Sequence, residues 1–263
     1  MSAKIKIGAL ISGGGTNLQA IIDSCESGKI DGEMVFVGTD NPEAKGLKRA
    51  DRHNIPYFAV NYAQIIKQYK QNPENIILPD DFDLNEAIEK QNFFSPDYCY
   101  EKIKNFLLTR ASAEARLLEK INLYDFDLLV LAGFMRNLTP YFIDKINTDH
   151  ENPCIMNIHP ALLPAFPGVD GYGDTFRYGC RVGGCTVHFI DYGEDSGPII
   201  GQKSFYIEKN DTLDDVKIKG LEKEWELYPE CIQLFAQNRL KTKKMSYTLD
   251  NNTFFNRTIV LIK

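Results

Sequence analysis

The feature that most limits what this chain can fold into lies near its start. The apolar run Ile5-Lys6-Ile7-Gly8-Ala9-Leu10-Ile11 leads into Ser12-Gly13-Gly14-Gly15-Thr16-Asn17, after which Leu18, Ala20, Ile21 and Ile22 fall at helical spacing. Strand, glycine loop, helix is the order of an α/β protein. Consecutive glycines let backbone N–H groups close around an anion, and the following helix adds its unpaired N–H groups and positive end. A phosphate monoester suits such a site, although a plain tight turn has the same composition. A dinucleotide loop is a competing reading, because the next strand, Met34 to Gly38, ends near Asp40, where a ribose-binding acid would sit. Leu18 in place of a third glycine weakens it, and no Gly-Lys-Ser/Thr follows to make a nucleoside-triphosphate loop.

The alternation continues. The turn signal Asn41-Pro42 precedes a helix expected from about Glu43 through Arg52, and Ile55 to Val60 reads as a third short strand, giving βαβαβ. Residues 61–108 break the rhythm with Tyr-, Lys- and Asp-rich segments and read as an insertion carrying one or two helices. A lid, an oligomer contact and simple surface decoration are all open to it. Ala111 to Leu123 restores a helical pattern, and Leu128-Leu129-Val130-Leu131-Ala132 is the clearest buried strand. Apolar strands alternating with helices imply a Rossmann-like, mostly parallel twisted sheet with helices on both faces. Gly133 to Leu138 then lies at a strand's C-terminal end, where such sheets place ligands. Residues 211–239 read as a closing helix packed through Trp225 and Leu227. The expected division is a catalytic domain over 1–240 and an extension over 241–263, whose final run, Arg257 to Ile262, reads as an added edge strand.

A chain of 263 residues, 43% hydrophobic, can bury one sizeable core. A net charge of -6 argues against a general nucleic-acid surface. The six cysteines include no Cys-x-x-Cys pair and sit mostly in apolar segments, so they read as reduced thiols rather than a disulfide or zinc framework. Neither a signal-peptide pattern nor a bilayer-spanning run is visible, and a cytoplasmic location without membrane contact is expected.

A second constellation carries chemistry. Cys154-Ile155-Met156 feeds Asn157-Ile158-His159-Pro160-Ala161-Leu162-Leu163-Pro164, so a strand would leave Asn157 and His159 on one face at period two before the prolines stop it. A further strand, Cys185 to Ile190, delivers the polar loop Asp191-Tyr192-Gly193-Glu194-Asp195, with Ser196-Gly197-Pro198 as turn chemistry. Asn can stabilise an oxyanion, His can move protons, and Asp can hold that His charged. Taken singly, each of the three has an ordinary role in a cap, core or turn. His188, inside the second strand, reads as structural.

Asn-x-His-Pro-x-Leu-Leu-Pro, followed by Asp-x-Gly-Pro-Ile-Ile, resembles the folate-dependent formyltransferases, and within them most closely the glycinamide ribonucleotide transformylase family. The resemblance spans roughly 1–60 and 109–240. It implies that Asn157, His159 and Asp195 are catalytic. It places the substrate phosphate on Gly14, Gly15, Thr16 and Asn17, and the rest of the ribonucleotide near Arg110, seventeen positions before Asp127, with Gly168 and Glu224. The walls of a folate pocket would be Met135, Arg136, Asn137, Leu138, Ile143, Ile155 and Ile190. Three departures stand out: the insertion; Val169-Asp170-Gly171-Tyr172, where relatives often carry histidines; and Leu221, where a polar residue is common.

The resemblance implies transfer of the formyl group of 10-formyltetrahydrofolate to the amine of glycinamide ribonucleotide, in purine biosynthesis, with no metal. A homodimer is allowed. Two other formyl chemistries stay open, a formyltetrahydrofolate hydrolase and a sugar-nucleotide or methionyl-tRNA formyltransferase. The hydrolases usually carry an extra N-terminal regulatory domain, and the transferases usually read Arg-Gly where this chain has Pro167-Gly168. A nicotinamide dehydrogenase and a noncatalytic binding module are the readings outside formyl transfer.

Overall fold

The computed structural model describes residues 4–95, 97–248 and 253–263. Its main sheet has seven strands: β1 (Ile5–Ile11), β2 (Gly32–Thr39), β3 (Tyr57–Ala59), β4 (Leu128–Leu131), β5 (Ile155–His159), β6 (Val182–Phe189) and β7 (Ile199–Tyr206), in the order β3-β2-β1-β4-β5-β6-β7. The first five are parallel, while β6 and β7 run antiparallel to their neighbours. The chain winds from β1 outward to β3, then crosses back to lay β4 on the other side of β1. That reversal opens a crevice beyond the C-terminal ends of β1 and β4, the place where sheets of this class bind ligands.

Alternation along the strands builds two cores. Ile7, Ala9 and Ile11 face α1 (Thr16–Glu26) and the long α8 (Leu213–Ala236), packing on Leu18, Ile21, Leu227, Tyr228 and Ile232. Leu10, Leu129 and Leu131 face the other side, against residues of α3 (Tyr62–Gln71), α5 (Tyr100–Ile121) and α6 (Pro140–Ile146). Each such buried leucine or isoleucine contributes on the order of 1.5–3 kcal/mol. Tyr228 ties α8 to the crevice, its hydroxyl donating to the carbonyls of Met156 at 2.8 Å and Leu131 at 3.2 Å.

Several elements differ from expectation for local reasons. The helix expected from Glu43 begins at Leu47, as α2 (Leu47–Arg52), because Asn41 folds into an Asx turn in which its side chain accepts from the Glu43 amide at 3.1 Å. Gly46 then packs on the glycine loop, its amide donating to the Gly13 carbonyl at 2.9 Å, and a Cβ there would lie 2.5 Å from Ile11 Cδ1 and 3.2 Å from Gly15 Cα. The segment 61–108 has no clean edge at 108. It holds α3, a short 3-10 turn, α4 (Leu84–Lys90, capped by Asp83) and the first turns of α5, which runs unbroken through Ala111. Ile103 and Leu107 extend the helix stripe into a small core with Phe82, Leu84, Ala87 and Ile88. The C-terminal run is not an edge strand of the main sheet. β8 (Leu240–Thr248) and β9 (Phe254–Ile262) pair antiparallel with each other as a separate two-stranded ribbon, because the tail is long enough to fold back on itself; residues 249–252 lie outside those described. Among the described residues, no helix is long and apolar enough to cross a membrane.

Candidate active site

The crevice is clasped from both sides. Ser12 N–H donates to the Gly133 carbonyl at 3.0 Å, and the Met135 amide donates to Ser12 Oγ at 2.8 Å, so the loops after β1 and β4 form one floor. Two cavities open from it and share Gly133, Met135, Ile158, Pro160 and Val169.

The larger, about 480 Å³, is built on the glycine loop. Gly15 caps α1 with φ 67°, a left-handed conformation that glycine adopts without strain, and the α1 N-terminus at Thr16 faces the opening. Arg49 fixes the loop from behind through a 2.9 Å bond from Nε to the Gly14 carbonyl. Thr16, Gly14 and Gly15 line the cavity as expected. Asn17 lines it too, but its Nδ2 is spent on Glu224 Oε2 at 2.6 Å, while its Oδ1 is buried without a partner. Glu224, on α8, also accepts from the Tyr172 hydroxyl at 2.7 Å; burial raises its pKa against the opposing pull of Asn17 and Tyr172. The 169–172 departure therefore supplies Tyr172 as a clamp on Glu224. Lys217, one helical turn before Leu221, puts a cation in the same wall; sequence reading missed it because a helix lysine carries no motif.

The smaller cavity, about 130 Å³, holds the polar trio. Antiparallel pairing of β5 and β6 sets Asn157 opposite His188 and His159 opposite Thr186. His159 is 3% exposed; its Nδ1 meets Asp195 Oδ2 at 3.1 Å and its Nε2 meets the Phe166 carbonyl at 2.8 Å. A carbonyl and a carboxylate only accept, so both ring nitrogens are served best when protonated. Burial opposes that charge, but Asp195 and the Phe166 carbonyl outweigh it, and the His159 pKa is raised. Burial pushes Asp195 the other way as well, yet its contact with His159 and the 2.8 Å bond from Gly168 N–H hold its pKa below the usual carboxylate range. Asp195 sits at φ 49° in a loop pinned by Asp191, which accepts from Ser196 Oγ at 2.6 Å and from Gly193 N–H at 3.1 Å.

His188 does more than fill the strand. Its Nδ1 donates to the Phe189 carbonyl at 2.9 Å, so its Nε2 is the acceptor for Asn157 Nδ2 at 3.1 Å; burial lowers its pKa and keeps it neutral. This fixes which end of the Asn157 amide is nitrogen and leaves the second Nδ2 hydrogen and Oδ1 for the cavity. Thr186 pins the proline turn, accepting from Leu163 N–H at 3.0 Å and donating to the Ala161 carbonyl at 2.7 Å.

Of the expected folate residues, Met135, Arg136, Asn137, Leu138 and Ile190 line this cavity. Ile143 and Ile155 do not: both are buried in the second core, Ile155 two strand positions below Asn157, where its side chain packs under the floor. Arg136 is ion-paired through Nε with Asp40, 3% exposed, so the acid of the dinucleotide reading is already engaged. Arg110 lines neither cavity. Its guanidinium stacks over Tyr62 at 5.6 Å and Phe106 at 5.0 Å, with Nε and Nη1 buried and unpartnered, and burial lowers its pKa. Among the described residues, no three or more His, Cys, Asp or Glu side chains are grouped to hold a metal ion.

The arrangement offers a charged, buried His–Asp pair and an oriented amide in a cavity that adjoins the one built on the glycine loop. The formyl transferase family model matches residues 5–232. The phosphoribosylglycinamide formyltransferase of Bacillus subtilis is 33% identical over 236 residues, 89% of this chain and 96% of that one. The trifunctional purine biosynthetic protein adenosine-3 of Gallus gallus is 32% identical over 90% of this chain, which spans 19% of that protein. A solved structure, glycinamide ribonucleotide transformylase 1 from Symbiobacterium toebii, aligns with a TM-score of 0.71 at 33% identity, covering 100% of this chain and 95% of its own. A match over most of the chain, in sequence and in fold alike, means that this chain belongs to the formyl transferase family, among the phosphoribosylglycinamide formyltransferases.

Proposed function

We propose that the crevice transfers the formyl group of 10-formyltetrahydrofolate to the amine of glycinamide ribonucleotide, a step of purine biosynthesis in the cytoplasm. The observation that carries this is the His159–Asp195 pair with Asn157, in the smaller cavity, next in sequence to Ile158 and Pro160, which line both cavities. The ribonucleotide phosphate binds the N–H groups of Gly14, Gly15 and Thr16 with Lys217 nearby, while the donor fills the slot over Leu138 and Ile190.

The amine nitrogen attacks the formyl carbon, forming the new C–N bond and a tetrahedral oxyanion. The free Asn157 N–H stabilises that charge as a donor, a contact typically worth about 3–4 kcal/mol, and the His159 imidazolium adds its positive charge. For His159 to reach the oxyanion directly, Nε2 must leave the Phe166 carbonyl; from its resting place it acts through its charge. Collapse breaks the bond to the folate nitrogen, which takes up a proton, while the attacking amine loses one. Asp195, held as a carboxylate, carries that proton through an ordered water.

An acceptor screen with 10-formyltetrahydrofolate, following tetrahydrofolate release, tests the reading. Release that requires glycinamide ribonucleotide is expected. Release without any acceptor would instead make the protein a formyltetrahydrofolate hydrolase, and release only with a sugar nucleotide would move it to that branch.

A further inference from the structure

Phe93 belongs to the insertion, between α4 and α5 and far in sequence from every motif, yet it lines the same cavity as Asn157, His159 and Asp195. Several contacts hold it there. The neighbouring Asn92 N–H donates to the Tyr192 carbonyl at 2.8 Å, a main-chain tie to the loop that carries Asp195. Lys90 Nζ, at the end of α4, and the Tyr192 hydroxyl converge on the Asp144 carboxylate of α6, the lysine at 2.7 Å. The Phe93 ring lies 6.1 Å from Phe106 on α5 at an interplanar angle of 61°. Phe106 carries the Arg110 guanidinium, which also stacks on Tyr62, and Tyr62 in turn lies under Arg136 at 5.7 Å. A row of rings and guanidinium planes thus joins the inserted aromatic to Arg136, which lines the same cavity. Surface decoration needs no such ties.

We propose that Phe93 is a specificity-determining residue for the formyl donor, its half-buried ring forming an aromatic wall against which the planar rings of a folate pack. The inserted segment then sets donor affinity, and Arg110 acts as a spacer that positions both walls. This rests on the reading of the smaller cavity as the donor's site. Leu138 and Ile190 give the slot an apolar floor, and a flat aromatic ligand covers Phe93 in the offset or edge-on geometry that rings favour.

The test is calorimetric titration of the full chain and its Phe93→Ala, Phe93→Leu and Phe93→Tyr variants with 5,8-dideazafolate, a folate analogue carrying no formyl group, and separately with glycinamide ribonucleotide. The analogue Kd is expected to rise roughly tenfold in the Ala and Leu variants and to stay within about threefold in the Tyr variant, the scale of one aromatic contact. Ribonucleotide Kd should change less than about twofold, since Phe93 does not line the larger cavity. Unchanged analogue binding in Phe93→Leu overturns the proposal, and so does equal weakening of both ligands; the Leu variant decides should the Ala variant not fold. A wild-type chain that binds the ribonucleotide but not the analogue sinks the donor reading and this inference with it, whereas a wild type that binds both while all variants match it sinks the inference alone.

Discussion

The two halves of the crevice are built in opposite ways. The glycine loop that founds one half is one short stretch, residues 12–17, whose strand, turn and helix cap are set by neighbours in sequence, although Tyr172, Lys217 and Glu224 close the cavity around it from far along the chain. The other half, proposed to hold the donor, is assembled from the loop after β4, strand β5, the 189–196 loop and, through Asn92 and Phe93, the insertion. A contiguous site loses function when its backbone is blocked and keeps its fold. A dispersed site is held by pairs such as Arg136–Asp40, 96 positions apart, so damage there reaches stability as well as binding.

The largest effect should come where the halves meet. His159→Ala and Asp195→Asn are each expected to reduce kcat at least about a hundredfold with the fold intact, the scale of general acid–base and oxyanion contributions. The double variant should lose much less than the sum of the two, because the pair acts as a unit. Steady-state kinetics with circular dichroism as control decides it, and near-wild-type turnover in the Asp195 variant would remove that residue from the mechanism.

Gly15→Val comes next. It forces a branched side chain into a left-handed backbone position, where Gly46 Cα would lie 3.0 Å from the new Cβ. Ribonucleotide Kd should rise by roughly a hundredfold or more, on the order of 3 kcal/mol of lost anion binding, while folate affinity stays near wild type. Separate titrations check this; loss of folate binding with intact ribonucleotide binding would mean the halves are assigned backwards.

Arg136→Met sharpens the contrast through stability. It leaves the Asp40 carboxylate buried without its cation, which costs about 3 kcal/mol, at the low end for a broken buried pair because the Arg136 side chain is 28% exposed. The melting temperature should drop by roughly 6–12 °C. No drop would show that the donor half is less dependent on long-range pairs than its geometry implies.

The mildest expectation concerns pH. The folded His159 pKa is raised, so its contribution to stability is fully present below the unfolded value near 6.5 and is lost as pH rises through the folded value. Asp195, with its pKa lowered, contributes above the unfolded carboxylate value near 4 and loses that contribution only as pH falls through its lower folded value; the two describe one shared interaction. Urea unfolding from pH 5 to 9 should show the wild type losing, above about pH 6.5, an advantage that His159→Gln never has. Parallel pH profiles for the two proteins would contradict the ion pair.

Much of this was legible in the residues. Ile5–Ile11, the glycines after it and the Leu128–Leu131 run announce buried strands and a phosphate-sized loop through periodicity and turn chemistry alone, and period two along β5 puts Asn157 and His159 on one face. Ile155 shares that face, and the same rule could not tell that it lies too deep to touch a ligand, because depth along a strand depends on what packs at its end. α5 was legible only from Ala111 onward, since Ile103 and Leu107 gain their meaning from the small core that the insertion supplies. The C-terminal ribbon escaped for a similar reason: an apolar run shows that a strand seeks a partner and not which strand it finds.

What the sequence determined by itself was therefore local: strand and helix order, the glycine loop ahead of α1, and the residue types able to move a proton and hold an oxyanion. What only the tertiary structure decided was every relation across long separations. Asn17 is drawn to Glu224, 207 positions away, Tyr172 becomes its second clamp, His188 sets the Asn157 amide, and Phe93 arrives in the cavity of the polar trio from an insertion with no motif. The physical reason is that hydrogen-bond satisfaction and close packing are enforced on groups once they are buried together, and which groups meet is fixed by how the sheet winds rather than by any residue's neighbours in the chain.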